Sequence, residues 1–528
     1  MKRISYLLFL PLFAHASYAE SNNPNIVLIM VDDMGYSDIG CYGGEIPTPN
    51  IDNLANEGIR FTQFYNTSRC CPTRASLLTG LYQHQVGVGH MTTEGSYNFD
   101  YGTDGYRGQL NRNCVTLPEV LKEAGYNTYM TGKWHLGSDM DDRPLQRGFD
   151  KYYGCLRGAF NYFRPGDKYM YGNDLLEQPD PKTYYTTDAF TDTAVSWIDT
   201  RDNTQPFFLY MAYNAPHWPL HAKKEDVDKF IGKYMEGWDV LRQKRFERQV
   251  AMGLFDESLG LSPRDTNVRP WSEVSEEQKI RSDLRMAVYA AQIYSIDENV
   301  GKIVRMLKQK GELNNTLIVF LSDNGASAEP YKEFGGGNFE DLNKADKGGI
   351  ISIGRGWANL CNTPFQKYKN NAFEGGMATP FIACWPNGIS KGIKGKFVSD
   401  VSHIMDVMPT ILELSGATYP TMRNNELIND YVGISFVPLL KEHKREEHKY
   451  LFFEHENRCA VRSGDWKIIS KYGEFNWLLY NIKEDRNEQK NIASTHPEIV
   501  AELSEAWRKW ALEKKVVPKG DPIGKGYH

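Results

Sequence analysis

Apart from one run near its start, this 528-residue chain has no stretch long and apolar enough to suggest a membrane span. That run, Ile4 to Ala14, is itself too short to cross a bilayer. It follows Lys2 and Arg3 and precedes the small-x-small triplet Ser17-Tyr18-Ala19, so residues 1–19 read as an export signal with Glu20 as the first residue kept. No cysteine follows it to carry a lipid, and a periplasmic or secreted location is expected. An excess of charge is also missing. The 61 Lys and Arg against 67 Asp and Glu give −6, which offers no ground for a nucleic acid or an anionic membrane as partner. The eight cysteines (41, 70, 71, 114, 155, 361, 384 and 459) have neither zinc-site spacing nor the density of a small disulfide scaffold. Disulfides are permitted in an oxidising compartment, but if Cys70 is modified an odd number remains and at least one thiol stays unpaired. Internal repeats and low-complexity tracts are absent. Apolar content of 41% and charged content of 24% are those of a globular protein, long enough for one large core and a smaller unit. The 13% of aromatic residues suits a carbohydrate or aryl ligand, and equally a large α/β core.

Buried strands alternate with helices along most of the chain. Asn25 to Val31 is a nearly continuous apolar run rich in β-branched residues, the pattern of a strand covered on both faces. Tyr126 to Met130, Phe207 to Ala212, Thr316 to Leu321 and Pro380 to Trp385 read as further strands. Helices are expected over Ile51 to Glu57, Leu117 to Ala124, about Leu284 to Lys310 and Val401 to Leu414, closed by Gly58, Gly125, Gly311 and Gly416. The charged stretch from about Lys223 to Arg281 reads as a surface insertion, and the glycines at 335–337 and 348–349 mark a long flexible loop. After about Lys441 come four short strands at hairpin spacing and a helix from about Pro497 to Lys514. These alternations predict a doubly wound α/β sheet over residues 20–440, with a small α+β unit over 441–528.

Chemically active residues recur just after the buried strands. Asp32 and Asp33 follow the first, and two adjacent carboxylates there call for positive charge nearby. Lys133 and His135 follow another, His217 a third, and Asp323 and Asn324 a fourth. Doubly wound sheets place their active sites at these carboxyl ends. Separately, Ser68-Arg69-Cys70-Cys71-Pro72-Thr73-Arg74-Ala75-Ser76-Leu77-Leu78-Thr79-Gly80 holds a Cys-x-Pro-x-Arg core. Only Cys70 fits it, with Pro72 at +2 and Arg74 at +4. Read alone, the same residues would make a buried structural cysteine.

The motif and the order of the strand-end residues resemble the type I sulfatases of the alkaline phosphatase superfamily, from about Asn25 to the C-terminal sheet. Val31-Asp32-Asp33 and Asp323-Asn324-Gly325 resemble the two metal motifs. Gly132-Lys133-Trp134-His135 and Pro216-His217 resemble the sulfate-contact motifs. Lys369, five residues before Glu374-Gly375-Gly376, matches the last family lysine, whereas Met377-Ala378-Thr379-Pro380 departs from the commoner Ile-Arg-Val-Pro. The resemblance implies a large mixed, mostly parallel sheet sandwiched by helices, with a smaller C-terminal antiparallel sheet plus helix. It further implies that a maturation enzyme oxidises Cys70 to formylglycine, whose hydrate is both nucleophile and metal ligand. Asp32, Asp33, Asp323 and Asn324 supply oxygen donors of the kind that select calcium or magnesium over zinc, with family precedent favouring calcium. In the implied reaction Lys133 and Lys369 hold the sulfate, Arg74 orients the formylglycine and the metal carboxylates, His217 protonates the leaving oxygen, and His135 helps expel sulfate.

Segments around Trp218, Trp357 and His455 resemble the arylsulfatase branch, although an exported enzyme more plausibly meets a sulfated glycan. Arg69, Glu329 and His455 are candidate substrate contacts, each with a structural role as the alternative. For Trp507 and Trp510 packing is the default. The rival readings are a phosphodiesterase or phosphonate monoester hydrolase of the same superfamily, and a non-catalytic glycan-binding protein with Cys70 unconverted.

Overall fold

The computed structural model describes residues 23–93, 99–423, 425–470 and 475–516; the export segment expected over residues 1–19 lies outside them. Among the described residues eleven strands form the main sheet: β1 (Asn25–Val31), β2 (Ile59–Tyr65), β3 (Asn127–Lys133), β4 (Lys151–Cys155), β5 (Tyr169–Tyr171), β6 (Asp174–Leu175), β7 (Phe207–Ala212), β8 (Thr316–Ser322), β9 (Ala378–Cys384), β10 (Phe397–Val398) and β11 (Ser402–His403). Their order is β10-β2-β9-β8-β1-β7-β3-β4-β5-β6, with β11 also on β2. The centre, β8-β1-β7-β3-β4, is parallel. β9 runs antiparallel to both β8 and β2, so β2 points the same way as β1.

The apolar runs are continuous because both faces of the sheet are covered. On β1, Val27, Ile29 and Val31 enter one core while Ile26, Leu28 and Met30 enter the other. The helix Glu276–Gln309 covers the first face with Met286, Tyr289, Ile293, Ile296, Val300 and Ile303. It starts before the expected Leu284 because Ser275 caps it, accepting a hydrogen bond from the Gln278 N–H, with Glu276 and Glu277 in the first turn. Helices Cys70–Thr79 and Val407–Ser415 cover the second face. The latter starts later than expected, since Ser402 and His403 join the sheet beside β2.

The stretch from Lys223 to Arg281 corrects the surface-insertion reading. Its helix Gly237–Ala251 buries Trp238, Leu241, Arg242, Arg245 and Phe246. Arg245 is fully buried and donates to Asp38 at 2.7 Å and to both oxygens of Glu45 at 2.7 and 2.8 Å. Arg245 thus pairs with carboxylates far away in the sequence, while Lys224, Lys244 and Arg281 stay exposed and pair within the segment.

After the short hairpin β12 (Met422–Arg423) and β13 (Glu426–Leu427), a four-stranded antiparallel sheet forms from β14 (Leu451–His455), β15 (Arg458–Ser463), β16 (Trp466–Ser470) and β17 (Leu478–Asn481). Helix Pro497–Glu513 packs Trp507 and Trp510 onto Val461, Ile468 and Leu479, so these tryptophans serve packing. A buried charge network joins the small sheet to the main one. Lys467 on β16 donates to Glu374 at 2.9 Å and to Glu488 at 2.6 Å, and Arg486 donates to Glu374 at 3.0 Å.

Candidate active site

Five strands end at one edge, and β9 enters from it. Asp32 and Asp33 leave β1 there, Lys133 ends β3, His217 follows β7, and Asp323 and Asn324 follow β8. β2 leads through Asn66–Arg69 to Cys70, the first residue of its helix. Lys369 arrives at the same edge just ahead of β9 because that strand runs the other way. The backbone there is under strain: Asp33, Ser68, His135 and Asn370 all have positive φ, between 56° and 67°. Gly132, at φ +107°, lets β3 approach β7 closely beside Lys133; a Cβ there would lie 1.9 Å from the Ala212 carbonyl oxygen.

Carboxylates and cations alternate at the centre. Lys133 donates to Asp32 at 2.5 Å. Arg74 donates to Asp323 at 2.9 Å and lies 3.6 Å from Asp32. Lys369 stands 2.8 Å from Asp33, 3.2 Å from Nε2 of His217 and 3.5 Å from Glu329. Asn324 donates its side-chain amide to Asp33 at 2.6 Å. Despite this density of cations, buried Asp32 Oδ1 and Asn324 Oδ1 have no hydrogen-bond partner. An unpartnered buried oxygen is costly, and these two sit among the expected metal donors. The donor atoms of Asp32, Asp33 and His217 lie within 4.8 Å of one another. Oxygen-rich donors of this kind fit a hard divalent cation.

Electrostatics follow from burial. Burial and the neighbouring Asp32 push the Asp323 carboxyl well above its usual range. Burial acts the same way on Asp32, but Lys133, His217 and Arg74 hold it down. The Cys70 thiol is lowered well below its ordinary value by its hydrogen bond with Cys71, against burial, with Lys133, His135 and Lys369 adding to the effect. Its place at a helix start acts in the same direction. Burial pushes His217 below its ordinary value, against the pull of Asp33. Its Nδ1 lies 2.6 Å from the Trp218 carbonyl oxygen. A carbonyl can only accept, so Nδ1 carries the proton and Nε2 keeps its lone pair toward Lys369.

The expected substrate contacts also cluster here. Arg69 donates to Glu329 at 2.7 Å, and Trp218 donates to the other Glu329 oxygen at 3.1 Å. Arg69 and Lys369, working against burial, hold Glu329 well below the usual carboxylate range. His455 ends β14, buried at 2% exposure, with neither ring nitrogen hydrogen-bonded; burial pushes its pKa down to about 3. Glu456 and Asn370 were not foreseen. The Asn370 backbone N–H donates to the Ser68 carbonyl at 2.8 Å, and its side chain donates to Glu456, which sits in the β14–β15 turn. Glu456 and Asn457 both have positive φ, 47° and 65°, where Asn-Gly would be the relaxed choice. The pair between two short apolar runs was a signal available in the sequence.

Carboxylates, lysines and a low-pKa residue at the strand-end edge of a mixed α/β sheet define a hydrolase of anionic esters. The chain belongs to the sulfatase family: the family model described as Sulfatase matches residues 24–417, and one described as N-sulphoglucosamine sulphohydrolase, C-terminal, matches 366–513. It is 34% identical to an arylsulfatase of Klebsiella aerogenes over 424 residues, covering 76% of this chain and 88% of the relative. It is 30% identical to the N-acetylgalactosamine-6-sulfatase of Mus musculus over 463 residues, covering 84% and 71%. Among solved structures, Ps i-CgsB superposes with a TM-score of 0.66 at 28% identity, covering 93% of each chain. The expected fold and the sulfuric ester hydrolase activity are thus both borne out.

Proposed function

We propose that the protein is an exported sulfatase that removes sulfate from a sulfated glycan after Cys70 has been oxidised to formylglycine by a separate maturation enzyme. The observation that carries the reading is the set of unpartnered oxygens on Asp32 and Asn324, between two lysines and beside a cysteine at a helix start. Hydrated formylglycine would supply an oxygen nucleophile that a thiol lacks. Calcium, held by Asp32, Asp33, Asp323, Asn324 and residue 70, would lower the pKa of that hydroxyl and share the substrate's negative charge.

The remaining roles belong to this chain's own side chains. Lys133 and Lys369 bind the sulfate oxygens and stabilise the charge that builds there. Arg74 fixes Asp32 and Asp323. His135, whose donor atom lies within 4.8 Å of the Cys70 sulfur, takes a proton from residue 70. The leaving oxygen is protonated by the His217–Lys369 pair. Because Nε2 of His217 accepts at rest, that proton starts on Lys369. Arg69, Glu329 and His455 face the alcohol part of the substrate. The sugar-sulfate specificity named for the mouse relative supports a glycan, and aryl sulfates serve as convenient reporters.

Protein purified from the native host tests this reading. Expected are a residue-70 peptide with the formylglycine mass, hydrolysis of 4-nitrophenyl sulfate well above 4-nitrophenyl phosphate, and no turnover by Cys70→Ala. Only cysteine at residue 70, or a preference for the phosphate, overturns it.

A further inference from the structure

A second cluster of donors lies beside the oxygen set and differs from it in kind. The sulfurs of Cys70 and Cys71 and a ring nitrogen of His135 all lie within 4.8 Å of one another, and all three residues are buried. The Cys71 sulfur is also 3.8 Å from the thioether sulfur of Met91. Two elements hold the three ligating groups in place, the first turn of helix Cys70–Thr79 and the residues just past β3, while Met91 comes from the segment that follows that helix. No carboxylate belongs to this cluster, and only two such clusters occur among the described residues. The catalytic reading uses Cys70 and His135 but gives Cys71 nothing to do; the Met91 sulfur accepts from the Arg69 Nε–H at 3.2 Å and stands at the edge of the cluster.

We infer that the chain with residue 70 still a cysteine carries a binding site for one soft monovalent d10 ion, Cu(I) or its redox-inert stand-in Ag(I), on Cys70, Cys71 and His135, with Met91 beside it. Thiolate, thioether and imidazole donors select soft ions. The donor set itself distinguishes this cluster from the neighbouring oxygen donors of Asp32 and Asp33, which suit a hard divalent cation. Binding takes both sulfurs as thiolates, any proton a thiol still holds going to solvent, and forms two sulfur–metal bonds and one nitrogen–metal bond; no electron is transferred. Oxidation of Cys70 removes one of the two thiolates, so maturation dismantles the site. A loaded chain, conversely, has its Cys70 sulfur masked from oxidation. The site itself rests only on the encoded cysteines; the comparison with matured protein rests on the proposed formylglycine.

The full-length chain, with residue 70 verified as cysteine by peptide mass, is titrated anaerobically with Ag(I) and with Cu(I) against a chromophoric chelator. Cys70→Ala and Cys71→Ser are expected to bind one equivalent fewer than the wild type, and His135→Ala to bind that equivalent roughly tenfold or more weakly. In the wild type, one equivalent of Ag(I) protects the residue 70–71 peptide from alkylation. Equal stoichiometry in all variants, or a peptide alkylated as fast with metal as without, overturns the inference. Should an alanine variant fail to fold, the protection measurement on the wild-type chain decides alone. Formylglycine-containing protein lacks the extra equivalent. If the native-host protein keeps Cys70 and binds the ion as the recombinant chain does, the maturation reading fails while this one stands.

Discussion

Lys369 and His217 meet at 3.2 Å, Nζ against a ring nitrogen that has no proton of its own to give. Lys369 also reaches Asp33 and Glu329, which keep it charged well above its ordinary value against burial. In the proposed mechanism the two residues act as one proton-delivering unit. Lys369→Met and His217→Ala should each lower kcat by roughly 10²–10⁴-fold on sulfated sugars with poor leaving groups. The double variant should be little worse than the weaker single. Additive losses in the kinetic cycle would show that the residues act separately.

Aryl sulfates provide an internal control on that pair. A phenol leaves without needing a full proton, so both single variants should lose much less kcat on 4-nitrophenyl sulfate than on a sugar sulfate. A uniform loss on both substrates would mean that the pair serves sulfate binding alone, the role Lys369 already has, and delivers no proton.

Asn370 ties the lysine loop to the nucleophile loop through the Ser68 carbonyl and to the small sheet through Glu456. Glu456→Gln keeps the shape and should cost little, whereas Glu456→Ala frees the Asn370 side chain. Misplacing a reacting group by about 1 Å costs on the order of 10² in rate, so Glu456→Ala should show a fall in kcat that the Gln variant largely restores. Equal losses in the two variants would argue for direct contact between the carboxylate and substrate.

Lys467 is fully buried between Glu374 and Glu488. Lys467→Met leaves two buried carboxylates without their shared cation, a change worth about 3–5 kcal/mol. Denaturant unfolding should show the midpoint falling with little change in slope. A loss below about 1 kcal/mol would mean that the network rearranges.

The same three residues set a pH dependence. Burial, only partly offset by Lys467, pushes Glu488 up to about 7, while Lys467 and Arg486, against burial, hold Glu374 down to about 2. The contribution of Glu488 is fully present below the unfolded value of 4.5 and is lost as pH rises through about 7. That of Glu374 is present above 4.5 and is lost as pH falls through about 2. Thermal midpoints should therefore decline between pH 5 and 8, and Glu488→Gln should flatten that decline. An unchanged slope in the variant would assign the pH dependence elsewhere.

Strand ends were the readable part of this chain. Asp32 and Asp33 stood out because carboxylates rarely follow a fully buried apolar run without a purpose, and the structure places them where that run ends. The four short strands after Lys441 were visible in their spacing, and Trp507 and Trp510 in their helical periodicity. Lys369 was different: alone it reads as a solvated lysine, and only its neighbours, the Glu374-Gly375-Gly376 five residues on, matched to the family pattern, marked it out. Arg245 was misread with its whole segment because its partners Asp38 and Glu45 lie 207 and 200 residues earlier. Lys467 was illegible for the same reason, its partner Glu374 being 93 residues away. Charge pairing over such distances leaves no local pattern, whereas burial does.

The stitching of Asn370 and Glu374 to the small sheet gives the order of synthesis a meaning. The ribosome makes Asp32, Cys70 and Lys133 first, but β2, which leads to Cys70, pairs with β9, β10 and β11 and waits for residues 378–403. Lys369 is held on one side by Glu456 through Asn370, and on the other by Lys467 and Glu488 through Glu374. All three of those residues emerge near the end of translation. A growing chain should thus remain catalytically silent until its last strands have docked. A chain ending before Leu451 should fail to hydrolyse 4-nitrophenyl sulfate even when residue 70 has been converted.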